Sequence, residues 1–68
     1  MERQAVSSSF IKEVGWEDNT LEVEFSNGTV YRYFDVPESE YQSLINAASV
    51  GSEFHRSIKN SYRTEKVS

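Results

Sequence analysis

The sequence predicts an α+β domain: a three-stranded antiparallel β-meander followed by two α-helices packed on one face. Two patterns support this fold class. Apolar and polar residues alternate between positions 10 and 34, and apolar residues then recur at helical spacing from position 37 to position 62. A chain of 68 residues has room for one domain, which we expect over residues 5–63, with residues 1–4 and 64–68 as frayed ends.

Composition narrows the classes of function. The chain has no cysteine and one histidine, so disulfides, thiolate ligands and a zinc site are not expected, and neither is a cofactor. No apolar run reaches the roughly 18 residues of a membrane span, and the segment after Met1 does not resemble a signal peptide. We therefore expect a cytoplasmic protein that binds no metal and no membrane. Because so short a chain buries only about 60% of its unfolded surface, self-association would add stability.

The charges are unevenly distributed along the chain. The formal net charge is -4, but residues 1–53 carry ten acids against three basic residues, whereas residues 54–68 carry four basic residues against one acid. The C-terminal part is thus basic within an acidic chain. This asymmetry favours either an anionic ligand at the C-terminal end or attraction between the two halves of the chain.

The first predicted strand, Phe10–Trp16, has an irregular pattern. Its side chains are aromatic and β-branched, but Ile11 and Val14 cannot both face one side of a regular strand. Either a bulge lies near Gly15, or one of the two residues packs outside the main core. A polar turn then leads into the second strand, Thr20–Phe25.

The loop between the second and third strands admits two registers. A two-residue turn at Asn27-Gly28 would place Arg32 among apolar side chains, which is unfavourable for a guanidinium. A three-residue loop with Gly28 in the left-handed region instead pairs Glu22 with Arg32 on the opposite face. We prefer this second register. The side chains that it directs towards the helices are Leu21, Val23, Tyr31 and Tyr33.

Two amphipathic helices follow the strands. Pro37 suits the first helical position, and the apolar stripe of the first helix is Tyr41, Leu44, Ile45 and Ala48. This helix is expected to end near Ser49, with Gly51 as a left-handed C-terminal residue and Ser52 as the cap of the second helix. The buried stripe of the second helix is then Phe54, Ile58 and Tyr62, and the opposite stripe is Arg56, Lys59 and Arg63.

Five short motifs follow one another along the chain: Val6-x-Ser8-Ser9-x-Ile11, Leu21-x-Val23-x-Phe25-x-x-Gly28-x-x-Tyr31-x-Tyr33, Val36-Pro37, Ala48-Ser49-x-Gly51 and Phe54-x-x-x-Ile58-Lys59-x-x-Tyr62. In their order and spacing the chain resembles the KTSC domain. This short module is named for its occurrence at the C-terminus of some lysyl-tRNA synthetases and is also found as a free-standing bacterial protein. Trp16 and His55 depart from the pattern, where a tyrosine and a small polar residue are usual.

The resemblance implies RNA, and tRNA in particular, as the candidate ligand. In complexes with single-stranded RNA, aromatic rings stack on bases and basic side chains contact phosphates. The candidate contacts are Arg56, Lys59 and Arg63 on the basic helix stripe and Tyr31, Arg32 and Tyr33 in the third strand. The tyrosines either present their rings to bases or fill the core, and the basic stripe is either a phosphate contact or a solvated helix face.

The residues also bear on two other functions, catalysis and protein-protein interaction. The serines at 7–9 and the lone His55 lack a nucleophile elbow and an orienting acid, so an enzyme is not expected. The alternative to RNA is a protein-protein interaction or self-association module that uses the open face of the sheet. Exposed apolar residues flanked by charge often mark such surfaces, and this one would comprise Val30, Phe34, Glu22 and Arg32.

Overall fold

A computed structural model describes all 68 residues. Its elements, in chain order, are β1 (Arg3–Ala5), β2 (Ile11–Glu17), β3 (Thr20–Phe25), β4 (Val30–Phe34), α1 (Glu38–Ile45), α2 (Val50–Ser57) and β5 (Thr64–Lys66). The strands form one antiparallel sheet in the order β1-β2-β3-β4-β5. The predicted α+β class is confirmed, with the predicted meander at the centre of a five-stranded sheet.

The two outer strands correct the expectation of frayed ends. β1 pairs with β2, with Arg3 opposite Gly15, and β5 pairs with β4, with Lys66 opposite Tyr31. Each outer strand has three residues, and most of these residues are polar and exposed. Such short edge strands bury no apolar side chain, so they lack the alternation from which strands are predicted.

The register of the β3–β4 hairpin is the one that we preferred. Glu22 lies opposite Arg32, and the Phe25 amide donates to the Thr29 carbonyl at 2.8 Å. Gly28 has a φ of +93°, in the left-handed region that the three-residue loop requires. The prediction that Arg32 lies outside the core is therefore confirmed.

A bulge in β2 lies at Lys12, three residues before the position that we considered. Ile11 pairs with Phe25 and Glu13 pairs with the adjacent Glu24, which leaves Lys12 as the extra residue. Because of this extra residue, Ile11 and Val14 both face the core and are almost completely buried.

The connection between the helices also differs from the prediction. Pro37 is the residue before α1, and α1 ends at Ile45, where the Asn46 side-chain amide donates to the Gln42 carbonyl at 2.9 Å. The cap of α2 is Ser49, whose hydroxyl accepts from the Ser52 amide at 3.3 Å. Gly51 lies in the first turn of α2 and has no positive φ. The roles predicted for Ser52 and Gly51 were therefore wrong.

The hydrophobic core lies between the sheet and the two helices. Its buried side chains are Ile11, Val14, Leu21, Val23, Tyr33, Val36, Leu44, Val50, Phe54 and Ile58. At one end of the core the Trp16 indole donates to the Val36 carbonyl at 2.8 Å and its ring stacks on Tyr41. Neither helix has the length and apolar character needed to cross a bilayer.

Candidate functional site

A cleft of about 460 Å³ opens between α2 and the β3–β4–β5 side of the sheet. This volume falls within the roughly 300–1,000 Å³ of ligand pockets. Its walls are the rings of Phe10, Phe25, Tyr31, Tyr33 and Phe54. Its polar rim consists of His55, Lys59, Asn60 and Thr64. We refer to these nine residues as the aromatic cleft.

The rings of the aromatic cleft hold one another in place. Phe25 meets Tyr31 edge to face, with ring centroids 5.8 Å apart, and Phe54 meets both Phe25 and Tyr33 in the same way at 5.6 Å. Edge-to-face packing is a favoured arrangement that fixes ring orientation. Phe54 and Tyr33 are buried, whereas Tyr31 and Phe25 are half-buried and Phe10 is exposed. The cleft therefore has a fixed floor and three accessible rings above it.

Burial widens the pH range over which the floor of the cleft is neutral. Burial raises the pKa of Tyr33 to about 12, and the neighbouring Tyr31 contributes to this shift. A tyrosine is neutral at physiological pH in any case, so the shift keeps the Tyr33 hydroxyl uncharged at more alkaline pH as well.

The rim of the cleft carries a positive charge that forms no ion pair within the fold. Lys59 is exposed and takes part in none of the ion pairs of the structure. Lys66 lies opposite Tyr31 in β5, and strand alternation directs both side chains to the same face of the sheet. No acidic residue lines the cleft. An anionic group at this rim would meet cations without competing carboxylates.

The predicted basic stripe is not a continuous surface. α2 ends at Ser57, so only Arg56 of the three residues lies within the helix. The Arg56 guanidinium pairs with Glu53, and the hydrogen bonds that Glu53 accepts from Arg56 and Ser57 lower its pKa. The Arg63 guanidinium instead lies over the Phe34 ring, 4.6 Å from the ring centroid. Lys59 alone joins the two tyrosines at the cleft.

Arg32 lies on the other face of the sheet, away from Tyr31 and Tyr33. Its Nε donates to the Glu22 carboxylate at 2.8 Å, and the Arg3 Nε lies 3.4 Å from the same carboxylate. Arg3 also lies within 3.6 Å of Glu13 and within 3.4 Å of Glu24. We call this network of Arg3, Glu13, Glu22, Glu24 and Arg32 the charged face.

Gly15 makes room for the charged face. A Cβ at this position would come within 2.5 Å of the Glu2 carbonyl oxygen and 2.8 Å of the Arg3 Cγ. The missing side chain lets Arg3 lie across β2 and reach Glu22 on the next strand. Glu22 is consequently the one charged residue among the buried ones.

The alternative interaction surface offers little free apolar area. Val30 and Phe34 are half-buried, and the Arg63 guanidinium covers the Phe34 ring. The two charged members, Glu22 and Arg32, already pair with each other. On the open face, two partly exposed apolar residues thus lie beside a network of paired charges.

Phe10 and His55 were not among the residues singled out as a site. Phe10 precedes a strand in sequence, and nothing in its spacing relates it to α2, whose His55 it joins at the cleft. The sequence analysis placed Phe10 at the start of the predicted strand Phe10–Trp16, and only its aromatic character could have drawn attention to it.

The chain has recognisable relatives. A model of the KTSC domain matches residues 7–62. The chain is 45% identical over 62 residues to a lysine-tRNA ligase of Trichormus variabilis, a match that covers 88% of this chain and 11% of the ligase. An uncharacterised protein of Stutzerimonas stutzeri is 43% identical over 61 residues, which cover 87% of this chain and 86% of that protein.

A solved structure agrees with the fold described above. The crystal structure of a KTSC domain protein from Yersinia pestis has a TM-score of 0.91 and 38% identity, and covers 98% of this chain and 97% of that one. The family resemblance inferred from the five motifs is thereby confirmed. The chain belongs to the KTSC domain family.

Proposed function

We propose that this KTSC domain binds single-stranded RNA and that the aromatic cleft holds an unpaired base. The observation that carries the proposal is the combination of accessible aromatic rings with a cation that makes no ion pair. Tyr31 and Phe25 are half-buried above a rigid floor, and Lys59 lines the same cleft. Stacking on aromatic rings and contact between cations and phosphates are the two interactions by which proteins hold single-stranded RNA.

The net negative charge of the chain does not oppose this proposal at the cleft. Of the acidic residues, Glu13, Glu22 and Glu24 pair with basic residues on the charged face, on the far side of the sheet. Charges separated by more than a Debye length, about 8 Å at physiological ionic strength, are largely screened in solution. The local surplus of Lys59 and Lys66 therefore matters more for a phosphate than the total.

The relatives provide independent support. One of them is a lysine-tRNA ligase, in which the matched segment makes up 11% of the length. A module attached to an enzyme named for a tRNA substrate is well located to hold an unpaired stretch of that RNA. The same module occurs as a protein of similar length to this chain in Stutzerimonas stutzeri.

Fluorescence anisotropy tests the proposal. The probes are a labelled 12-nucleotide oligouridylate and a labelled tRNA transcript, each titrated with the protein across a salt series. We expect binding that weakens as salt rises, because phosphate neutralisation releases counterions. No change in anisotropy with either probe at 50 mM salt would exclude the proposal.

A matched pair of variants locates the binding site. Tyr31→Leu keeps apolar bulk at the cleft but removes a ring, and we expect the affinity to fall by about fivefold or more. Tyr41→Leu removes a partly buried ring that stacks on Trp16 and does not line the cleft, so it should leave the affinity unchanged. Equal effects of the two substitutions would place the RNA elsewhere.

A further inference from the structure

Phe10 is the one exposed aromatic residue of the chain, with 42% of its full accessible surface open to solvent. Isolated exposed apolar residues are common, but this one is also held rigidly. Its amide donates to the Ser8 hydroxyl at 3.3 Å, and its carbonyl accepts from the Ser26 amide at 2.9 Å. The backbone is thus anchored to two neighbouring segments, while the ring stays partly exposed to solvent.

Gly51 determines where that ring lies. A Cβ at Gly51 would come within 2.7 Å of the Phe10 Cε1 and 3.1 Å of its Cζ. The edge of the ring therefore rests on the first turn of α2, in space that is open because residue 51 has no side chain. This close approach explains a glycine inside a helix, where it is otherwise unfavourable.

Phe10 separates two grooves. On one side is the aromatic cleft, and next to it is a second groove of about 840 Å³ along the first turns of α2. Phe10 and His55 line both grooves. The second groove also contains the small side chains of Ala48 and Ser52 and has Arg56 on its rim.

The charges around the two grooves favour a polyanion that spans both. Lys59 lies on the rim of the aromatic cleft and Arg56 on the rim of the second groove. Glu53 is the one acidic residue in either lining, and Arg56 already neutralises it. An aromatic ring between two grooves with cations on both rims matches the alternation of bases and phosphates in a single strand.

We propose that Phe10 stacks between two consecutive unpaired bases of RNA, one in the aromatic cleft and the next in the second groove. This inference rests on the proposed function and specifies its ligand as a dinucleotide step of single-stranded RNA. Gly51 acts as a positioning residue, because it sets the place of the ring without touching the RNA. A duplex is not a ligand, since its bases stay stacked on one another.

Titrations of the ¹⁵N-labelled protein, followed by amide chemical shifts, test the inference. The probes are uridine monophosphate, the dinucleotide UpU and a 12-nucleotide oligouridylate. We expect the monophosphate to shift the amides of the aromatic cleft, and UpU to shift those of Ser52 and Arg56 as well. The second stacked base should make UpU bind about fivefold or more tightly than the monophosphate.

Two variants examine the role of the ring. Phe10→Leu should reduce the affinity for UpU to that for the monophosphate. Gly51→Ala should do the same while the helix itself becomes no less stable, because alanine is the better helix former and the clashing atom is the movable end of a side chain. Amide dispersion of each variant verifies folding, and Gly51→Ala carries the test if Phe10→Leu fails to fold.

The outcomes separate the inference from the proposed function. Equal affinities for UpU and the monophosphate, or full affinity in both folded variants, would overturn the inference while the shifts at the aromatic cleft still support RNA binding. The absence of shifts with all three probes would overturn the proposed function, and the inference with it.

Discussion

The two faces of the five-stranded sheet use their polar and aromatic side chains differently. On the charged face, Glu22 is shared by Arg3 and Arg32, and its side chain retains only 10% exposure. On the other face, the aromatic cleft leaves Tyr31 half-buried and Lys59 without an ionic partner. The polar groups of the charged face are paired with one another, whereas the groups of the aromatic cleft remain available to a ligand.

The difference in pairing between the two faces says more about where an anionic ligand can bind than the net charge of the chain does. The chain is acidic overall, at -4, yet many of its acids lie where basic residues already neutralise them. Residue type alone suggested that Arg32 and Arg63 could contact RNA. In the structure each of the two has a partner within the fold, since Arg32 pairs with Glu22 and Arg63 covers Phe34.

The largest effect is expected from breaking the charged face at Glu22. Glu22→Ala leaves Arg3 and Arg32 without their shared carboxylate, and because Arg32 is partly exposed and Arg3 keeps Glu13 and Glu24, we expect a loss of about 2–3 kcal/mol in the free energy of unfolding. Urea denaturation measures the loss, and Glu65→Ala, opposite Arg32 but exposed, is the control, expected within about 0.5 kcal/mol of wild type. A loss under about 1 kcal/mol for Glu22→Ala would mean that the network behaves as an ordinary surface pair.

The next effect concerns pH and the floor of the cleft. The pKa of Tyr33 is raised from 10.0 to about 12 by burial, so the folded state holds this proton more tightly than the unfolded state does. The resulting stability is fully present below pH 10 and is lost as pH rises through 12, by an amount on the order of 2 kcal/mol. Denaturation curves between pH 8 and pH 11.5 should fall less steeply for Tyr33→Phe than for wild type.

Some alkaline destabilisation should remain in the Tyr33→Phe variant. Burial also raises the pKa of Tyr41 and of Tyr62, and Tyr62 in addition donates a hydrogen bond to Glu40 at 3.1 Å. An identical pH dependence in wild type and Tyr33→Phe would mean that the floor of the cleft is open to water.

A smaller effect is expected on RNA affinity when one lysine is removed from either face of the sheet. Lys59→Ala removes a cation from the cleft rim, so we expect the affinity for oligouridylate to fall about fivefold and the slope of log K against log salt to decrease by about 0.7. Lys12→Ala removes the same charge near Glu24 on the other face and is the matched control. If both substitutions weakened binding equally, the RNA would respond to net charge and not to the cleft.

The smallest effect is expected at Arg63. Arg63→Ala removes the cation over the Phe34 ring and should reduce the free energy of unfolding by about 0.5–1 kcal/mol. The affinity for RNA should change less than in Lys59→Ala. A larger loss of affinity in Arg63→Ala than in Lys59→Ala would support the predicted basic stripe as the RNA contact.

The central strands could be predicted from the sequence because they bury one face of the sheet. The alternation from Leu21 to Tyr33 and the cost of burying Arg32 were enough to select the β3–β4 register. The outer strands were missed because exposed three-residue strands have no apolar pattern. The α2 cap was misplaced because Ser49 and Ser52 are equally good caps, and only the early end of α1 decides between them.

The candidate site was only partly accessible from the sequence. Tyr31, Tyr33 and Lys59 were chosen for their chemistry, and the fold brings these three together at the cleft. Phe10 reaches the site through a close approach to Gly51, some forty positions away, and no local pattern encodes such a contact. Arg63 was grouped with Lys59 on the assumption of a longer helix, which ends at Ser57 instead.

The bulge at Lys12 gives β2 a tolerance to changes in length. Ile11 and Glu13 pair with adjacent residues of β3, so a deletion of Lys12 would leave every β3 partner of the strand in place, and the Val6 amide would lose the Lys12 carbonyl to which it donates. What would change is the path of the chain, since a bulge bends its strand. A chain shortened in this way would keep the same core, yet its residues 7–10 would leave the sheet in a straighter line and carry Phe10 away from α2.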